Sequence, residues 1–255
     1  MISLDLLAQR EKAKANLMSV LTAHNGDTKH PQVVKAIAFL SALNPTPNPA
    51  QHLSLLAGNW LLISAPNFPG RIEDDSGRSI YTLGRLAFNK FEPVDLRVVL
   101  ERISQPIFAI GENKYSHDIV VKFKIIEPGF PKLKGIVKNL AVCSALDADT
   151  VQVEFTGGEL LPLDREDKEQ VKQWLNIFNS DRSLSPISPV DRFKFWWVQQ
   201  MFGIGKVSAI DPQTGTQSFA IEKSPKGKLK LLYLDEELRI TQGRKESLLI
   251  CQREN

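Results

Sequence analysis

The chain reads as a mainly β protein with N-terminal helices (α+β): an antiparallel sheet closed into a barrel, preceded by a helical hairpin and interrupted by one inserted helix. Three observations predict this. Hydrophobic spacing is helical up to about residue 41 and switches to a period of two from Trp60 onward. About ten short period-two runs follow, joined by turn-forming residues. One later stretch, 165–180, returns to helical spacing.

Ser3 is suited to cap a first helix in which Leu6, Ala13, Leu17 and Val20 share a stripe, and Asn25, Gly26 and Asp27 supply its stop. A second helix follows His30. Pro31 fits its first position, where a missing N–H costs nothing, and Val33, Ile37 and Leu40 repeat at spacings of four and three. Asn44-Pro45-Thr46-Pro47-Asn48-Pro49 ends the helical region, because each proline removes a donor and restricts the residue before it. Residues 1–50 are therefore expected to form a helical hairpin packed on a barrel of residues 51–255, the whole being one structural unit.

Among the strands, Val94, Leu96, Val98 and Leu100 alternate with Asp95, Arg97 and Glu101, while Ile119, Val121, Phe123 and Ile125 alternate with positions that include Lys122 and Lys124. Val151, Val153 and Phe155 alternate with Gln152 and Glu154. Further strands are expected at 59–64, 78–88, 134–145, 216–223, 227–234, 237–241 and 246–252. Closing them into a barrel removes exposed edges. One face of each strand then lines the interior, and Trp60, Leu96, Val98, Val121, Phe123, Val153 and Phe155 are the candidate ligand contacts, although alternation alone does not say which face is inward. In the 165–180 helix, Asp164 is the expected cap, Glu166 and Asp167 favour the positive end of the dipole, and Val171, Trp174, Leu175 and Phe178 form the apolar stripe. Such a helix either plugs a barrel mouth or packs on the outer wall, the second being the plainer expectation.

With 255 residues the chain can bury a substantial core, and 42% hydrophobic and 24% charged residues exclude wholesale disorder. No window holds the run of about 18 apolar residues that a spanning helix needs. A net charge of +3 and a pI near 8.8 fall short of a nucleic-acid footprint, so no nucleic-acid partner is expected. Cys143 and Cys251 cannot build a disulfide framework, which suits a reducing compartment. The start, MISLDLLAQREKAK, fits neither a secretory signal nor an acid-poor transit peptide. His24, His30, His52 and His117 are scattered, and no Walker sequence or nucleophile elbow occurs, so neither a metal centre nor catalysis is expected.

Two segments remain. Phe193, Phe195, Trp196, Trp197, Met201 and Phe202 crowd beside Arg192 and Lys194; they either close the barrel base or meet a membrane interface, with Phe193, Trp196, Trp197 and Phe202 as the candidate contacts. Residues 231–252 pair two apolar runs, Leu231–Leu234 and Leu248–Cys251, around Asp235, Glu236, Glu237, Arg239, Arg244 and Lys245, and read as the last hairpin of the barrel. Gly58-Asn59-Trp60 has the Gly-x-Trp form of lipocalin-type barrels. Closure brings the first and last strands together, so Trp60 either meets a guanidinium, Arg239 being the best placed, or serves only as a core anchor. Asp235 either holds Arg239 or Arg244 or caps the turn after Leu234.

In three places the chain resembles the plastid lipid-associated proteins, or fibrillins, in a cyanobacterial version. These are LNPTPNPA with LLAGNWLLIS at 43–64, GIVKNLAV at 135–142, and LYLDEELRITQGRKESLLIC at 232–251. A C-terminal family signature matches Tyr233, Leu234, Asp235, Leu238, Arg239 and Gly243; with Gly58, Trp60 and Arg244 these form the expected barrel closure. The chain departs from the family at Gln242, where an Arg is usual, and at Glu246 and Ser247, where a Gly is usual. The resemblance implies a lipocalin-like barrel without catalytic residues that binds an apolar small molecule of the lipid, quinone or carotenoid type. It also implies peripheral membrane contact, at the cytoplasmic side of a thylakoid or at lipid bodies, or a place in the cytoplasm of a cyanobacterium. The alternative is a scaffold docking a membrane or photosynthetic complex.

Overall fold

A computed structural model describes residues 4–179, 205–224, 226–243 and 246–254. Helices α1 (Leu4–Ala23) and α2 (Pro31–Ser41) form the hairpin. Asn25 and Gly26 turn the chain between them at φ 51° and 76°, and His30 caps α2 by accepting the Gln32 N–H on Nδ1 at 3.3 Å. The buried face of α1 is Arg10, Ala13, Leu17 and Leu21. Leu6, expected on that stripe, is exposed, and Arg10 reaches inward instead, its Nε donating to the Leu43 carbonyl at 3.0 Å. Ser3 lies outside the described residues.

A 3-10 turn (Pro49–Gln51) and the short α3 (Leu53–Leu56) lead to the strands. In order these are β1 (Gly58–Leu62), β2 (Ile72–Glu73), β3 (Ser79–Thr82), β4 (Arg97–Ile107), β5 (Ala109–Gly111), β6 (Lys114–Ser116) and β7 (Ile119–Ile125). They continue with β8 (Lys134–Ala145), β9 (Thr150–Pro162), β10 (Gln217–Ala220), β11 (Lys226–Leu234), β12 (Leu238–Gln242) and β13 (Leu248–Glu254). Helical turn α4 (Leu83–Leu86) follows β3, and α5 (Lys168–Phe178) follows β9. Eight antiparallel strands close a lipocalin-like ring in the order β9-β11-β12-β13-β1-β4-β7-β8, with β8 pairing back to β9. Closure sets β1 beside β13, with Trp60 opposite Arg253.

Several expected boundaries move. The 78–88 strand stops at Thr82, because the N–H groups of Leu83 and Gly84 bond the carbonyls of Leu96 and Val94 at 2.9 and 2.8 Å and fold 83–96 across one barrel end. Leu96 is buried in that cover and precedes β4, which begins only at Arg97. Helix α5 begins at Lys168. Asp167 caps it, accepting the Glu169 and Gln170 N–H groups at 3.0 and 3.1 Å, while Asp164 holds the preceding turn. Ile177, rather than Leu175, completes its buried face.

The inward side chains form two storeys. At the covered end, Val98, Val121, Phe123 and Val137 meet Leu83, Phe91, Trp174 and Phe178. The rings of Trp174 and Phe123 lie 6.3 Å apart, and both would collide with a Cβ at Gly135. Phe123 faces inward, so α5 plugs this end of the barrel and does not pack on the outer wall. At the other end Trp60, Ile107, Val151, Val153, Leu231 and Cys251 are sealed by Leu53 and Leu56. A third cluster lies outside the wall, where Leu17, Leu21, Ile37 and Leu40 of the hairpin cover Tyr233, Leu238, Ile240 and Ile250. A wall covered on both faces loses its alternation: Leu238, Arg239, Ile240 and Thr241 are all buried.

Candidate functional site

Trp60 is wholly buried and its Nε1 donates to the Leu56 carbonyl at 2.8 Å. Two guanidinium groups approach its ring, Arg239 at 5.1 Å and Arg253 at 4.3 Å from the centroid. Each such contact is worth about 0.5–2 kcal/mol, more where water is excluded. Arg239 is the partner expected from the sequence; Arg253 is the one the sequence does not announce, since only strand closure sets it opposite Trp60. Gly58 explains the Gly-x-Trp spacing. Its φ is +136°, and a Cβ there would strike Nη1 of Arg253. That guanidinium bonds the carbonyls of Leu55, Ala57 and Glu236, at 2.5 Å for the last two.

Arg239 is only 1% exposed. Its Nη2 donates to Gln105 Oε1 and lies 3.4 Å from Cys251 Sγ, while Nε and Nη1 have no protein partner. Two more polar side chains feel its field. Burial pushes the His117 ring down to about 3, with Arg239 acting in the same direction, so the imidazole stays neutral. Burial pushes the Cys143 thiol up to about 11 against the pull of Arg239. No spacing in the sequence ties Gln105 to Arg239; strand register does, placing Gln105 opposite Trp60 and Cys251 opposite Arg239, while His117 sits between β6 and β7, its backbone N–H bonding the Ala141 carbonyl at 2.8 Å.

The C-terminal signature divides between the two faces of the wall. Arg239 points inward, while Tyr233 and Leu238 point outward into the hairpin. Asp235 does not hold Arg239. Its Oδ1 accepts the Glu237 and Leu238 N–H groups at 2.8 and 2.7 Å, and its Oδ2 accepts the Tyr233 hydroxyl at 2.6 Å and Lys14 Nζ at 3.1 Å. Burial opposes ionisation of Asp235, but these donors outweigh it and hold the carboxyl below its usual range. Burial likewise opposes the Lys14 charge, and Glu237, Glu11 and Asp235 outweigh it. The proline segment joins the same junction: Asn44 Oδ1 accepts the Leu234 N–H at 3.0 Å, and Thr46 Oγ1 donates to the Leu234 carbonyl at 2.6 Å. The first and last sequence motifs therefore touch, and together they dock the hairpin.

Of the candidate ligand contacts, Trp60, Val98, Val121, Phe123 and Val153 face the interior, and Leu96 belongs to the cover at one end. Phe155 packs against the same inner cluster as Val153 but is half-buried, its ring edge-on to the exposed Phe88 at 5.2 Å. None of these seven borders the large cleft, of about 930 Å³, that lies between the α1–α2 turn, the 65–81 segment, β4 and the β12–β13 turn. Phe68, Arg71, Tyr81, Leu100 and Leu248 contribute to its walls. Glu246, also on its rim, has φ +58°, a conformation that glycine adopts without strain. Among the described residues no helix is long and apolar enough to cross a membrane. Arg244, Phe193, Trp196, Trp197 and Phe202 lie outside the described residues.

Over 223 residues the chain is 25% identical to "Probable plastid-lipid-associated protein 3, chloroplastic" of Oryza sativa subsp. japonica, an alignment covering 83% of this chain and 49% of that protein. The chain thus spans about half the length of that relative. No solved structure matches it. The family model PAP_fibrillin matches residues 11–252, a span that includes the hairpin, the closed barrel and the Trp60–arginine junction, and the chain belongs to that family.

Proposed function

We propose that the protein binds an apolar or amphipathic small molecule of the lipid, quinone or carotenoid type in its barrel, and does so as a peripheral partner of thylakoid membranes or lipid bodies. The observation that carries this reading is the cleft of about 930 Å³ at the barrel's edge, bordered by Phe68, Tyr81 and Leu100, which pack on the inner core, a volume within the ordinary range of ligand sites. Kinship with a lipid-associated family supports it. Organic extraction of the natively purified protein followed by mass spectrometry is expected to release such a compound, and adding it back is expected to raise the unfolding temperature. No extracted compound and no thermal shift would end the carrier reading.

A scaffold that docks a membrane complex is the second reading, favoured by the outer face of the hairpin, where Leu4, Leu7, Val34 and Phe39 are exposed. Flotation with liposomes separates the two contacts. A protein that floats only when Phe39 and Leu7 are intact uses the hairpin as its membrane face.

A further inference from the structure

We propose that Arg239 is the headgroup subsite of the barrel and binds the anionic oxygen of a single-tailed amphiphile, such as a long-chain carboxylate. This rests on the binding reading above and adds the chemical class of the ligand. A buried charge is tolerated when an opposite charge or a full set of acceptors meets it. Guanidinium stays protonated under all conditions in which a protein is folded, so Arg239 cannot escape by losing its proton. Among the described residues the buried charged side chains are Arg10 and Arg239, and no aspartate or glutamate is buried with them. Arg10 lies on the hairpin and bonds a carbonyl. Arg239 has only the neutral Gln105 and the Cys251 sulfur, and its Nε–H and Nη1–H groups face the interior without acceptors.

Among the described residues no carboxylate is buried beside Arg239; Glu236 and Asp235 act on Arg253 from the outer end. His117 and Cys143, both buried, are neutral groups whose ionisation the Arg239 charge influences. The ring of Trp60 is shared with Arg253, a second cation whose guanidinium lies 4.3 Å from the ring centroid. The site is positive, desolvated and short of acceptors, the condition that a carboxylate or phosphate oxygen relieves by charge-assisted hydrogen bonds. The tail would run along β4, displacing side chains that now fill the interior. From Gln105 the inward face passes Ile103 to Leu100 at the border of the cleft, about 15 Å at strand spacing. An eight-stranded barrel is wide enough for one slender ligand.

The test is a titration of the purified chain with oleate, oleyl phosphate and methyl oleate, read by native mass spectrometry and tryptophan fluorescence. Either anion is expected to bind about 10- to 100-fold more tightly than the ester, the range for hydrogen bonds to a charged group. The tighter of the two anions identifies the headgroup as carboxylate or phosphate. Arg239→Met is expected to abolish the preference while leaving the ester's affinity within about twofold. Arg239→Lys, which keeps the charge, retains part of it. The wild-type comparison stands even if Arg239→Met fails to fold. Equal affinity for acid and ester overturns the headgroup assignment and leaves the binding reading intact; failure of all three probes to bind removes both.

Discussion

His117 makes the polar interior testable through pH. Its ring titrates near 6.5 in the unfolded chain and near 3 in the folded one, because burial and then Arg239 oppose the imidazolium. Between those values the unfolded chain takes up a proton that the folded chain refuses, so stability falls as pH falls and is recovered above 6.5. Going from pH 7.5 to 5.0, the loss from this one residue is about 2 kcal/mol at about 1.4 kcal/mol per pH unit. With a urea m-value of about 2 kcal/mol/M, that moves the unfolding midpoint down by about 1 M. The assay is urea denaturation of the wild type and of His117→Phe at both pH values. The variant carries every other titrating group, so the difference between the two shifts isolates His117. If the wild type loses no more stability than the variant over this interval, the ring is accessible to protons and the picture of a dry, cationic barrel end is wrong.

Gly58→Ala is expected to cost about 1–3 kcal/mol, since φ +136° disfavours an L side chain and its Cβ would displace the Arg253 guanidinium. Gly77→Ala, at φ +76° with nothing within 4 Å, is the control that carries backbone strain alone, and thermal unfolding is expected to rank Gly58→Ala as the more damaging. Lys14 and Asp235 keep only 12% and 14% of their side-chain surface exposed, so a double-mutant cycle of Lys14→Met and Asp235→Asn is expected to give a coupling of about 1–2 kcal/mol. Because the Asp235 carboxyl is held below its usual range, that contribution is complete at neutral pH and disappears only as pH falls below about 3.8. Zero coupling in the cycle would show that the Lys14–Asp235 pair does not help to dock the hairpin, leaving its apolar face and the Asn44 and Thr46 bonds to do so.

Much of the barrel was legible in the sequence. The 119–125 and 134–145 strands were found where they lie, because their polar faces meet solvent and the alternation is clean. The pairing of Trp60 with Arg239 followed from barrel closure. The 78–88 run misled, because side chains of a segment folded across a barrel end are apolar for the same reason as those of a strand. Residues 238–241 hid their orientation, because the hairpin buries the outer face as fully as the core buries the inner one.

By itself the sequence determined the class of the fold, its helical hairpin, its proline boundary and the family signature, since all of these are written in local spacing and turn chemistry. Only the tertiary structure decided what the signature does. Tyr233 and Asp235 tie down a helix that begins more than two hundred residues earlier, and Arg253 stacks on a tryptophan from the first strand, because closing a ring joins residues at opposite ends of the chain. The same closure leaves Arg239 as a buried cation with two nitrogens that lack an acceptor, a property of no local segment, set by which side chains the eight strands turn inward together.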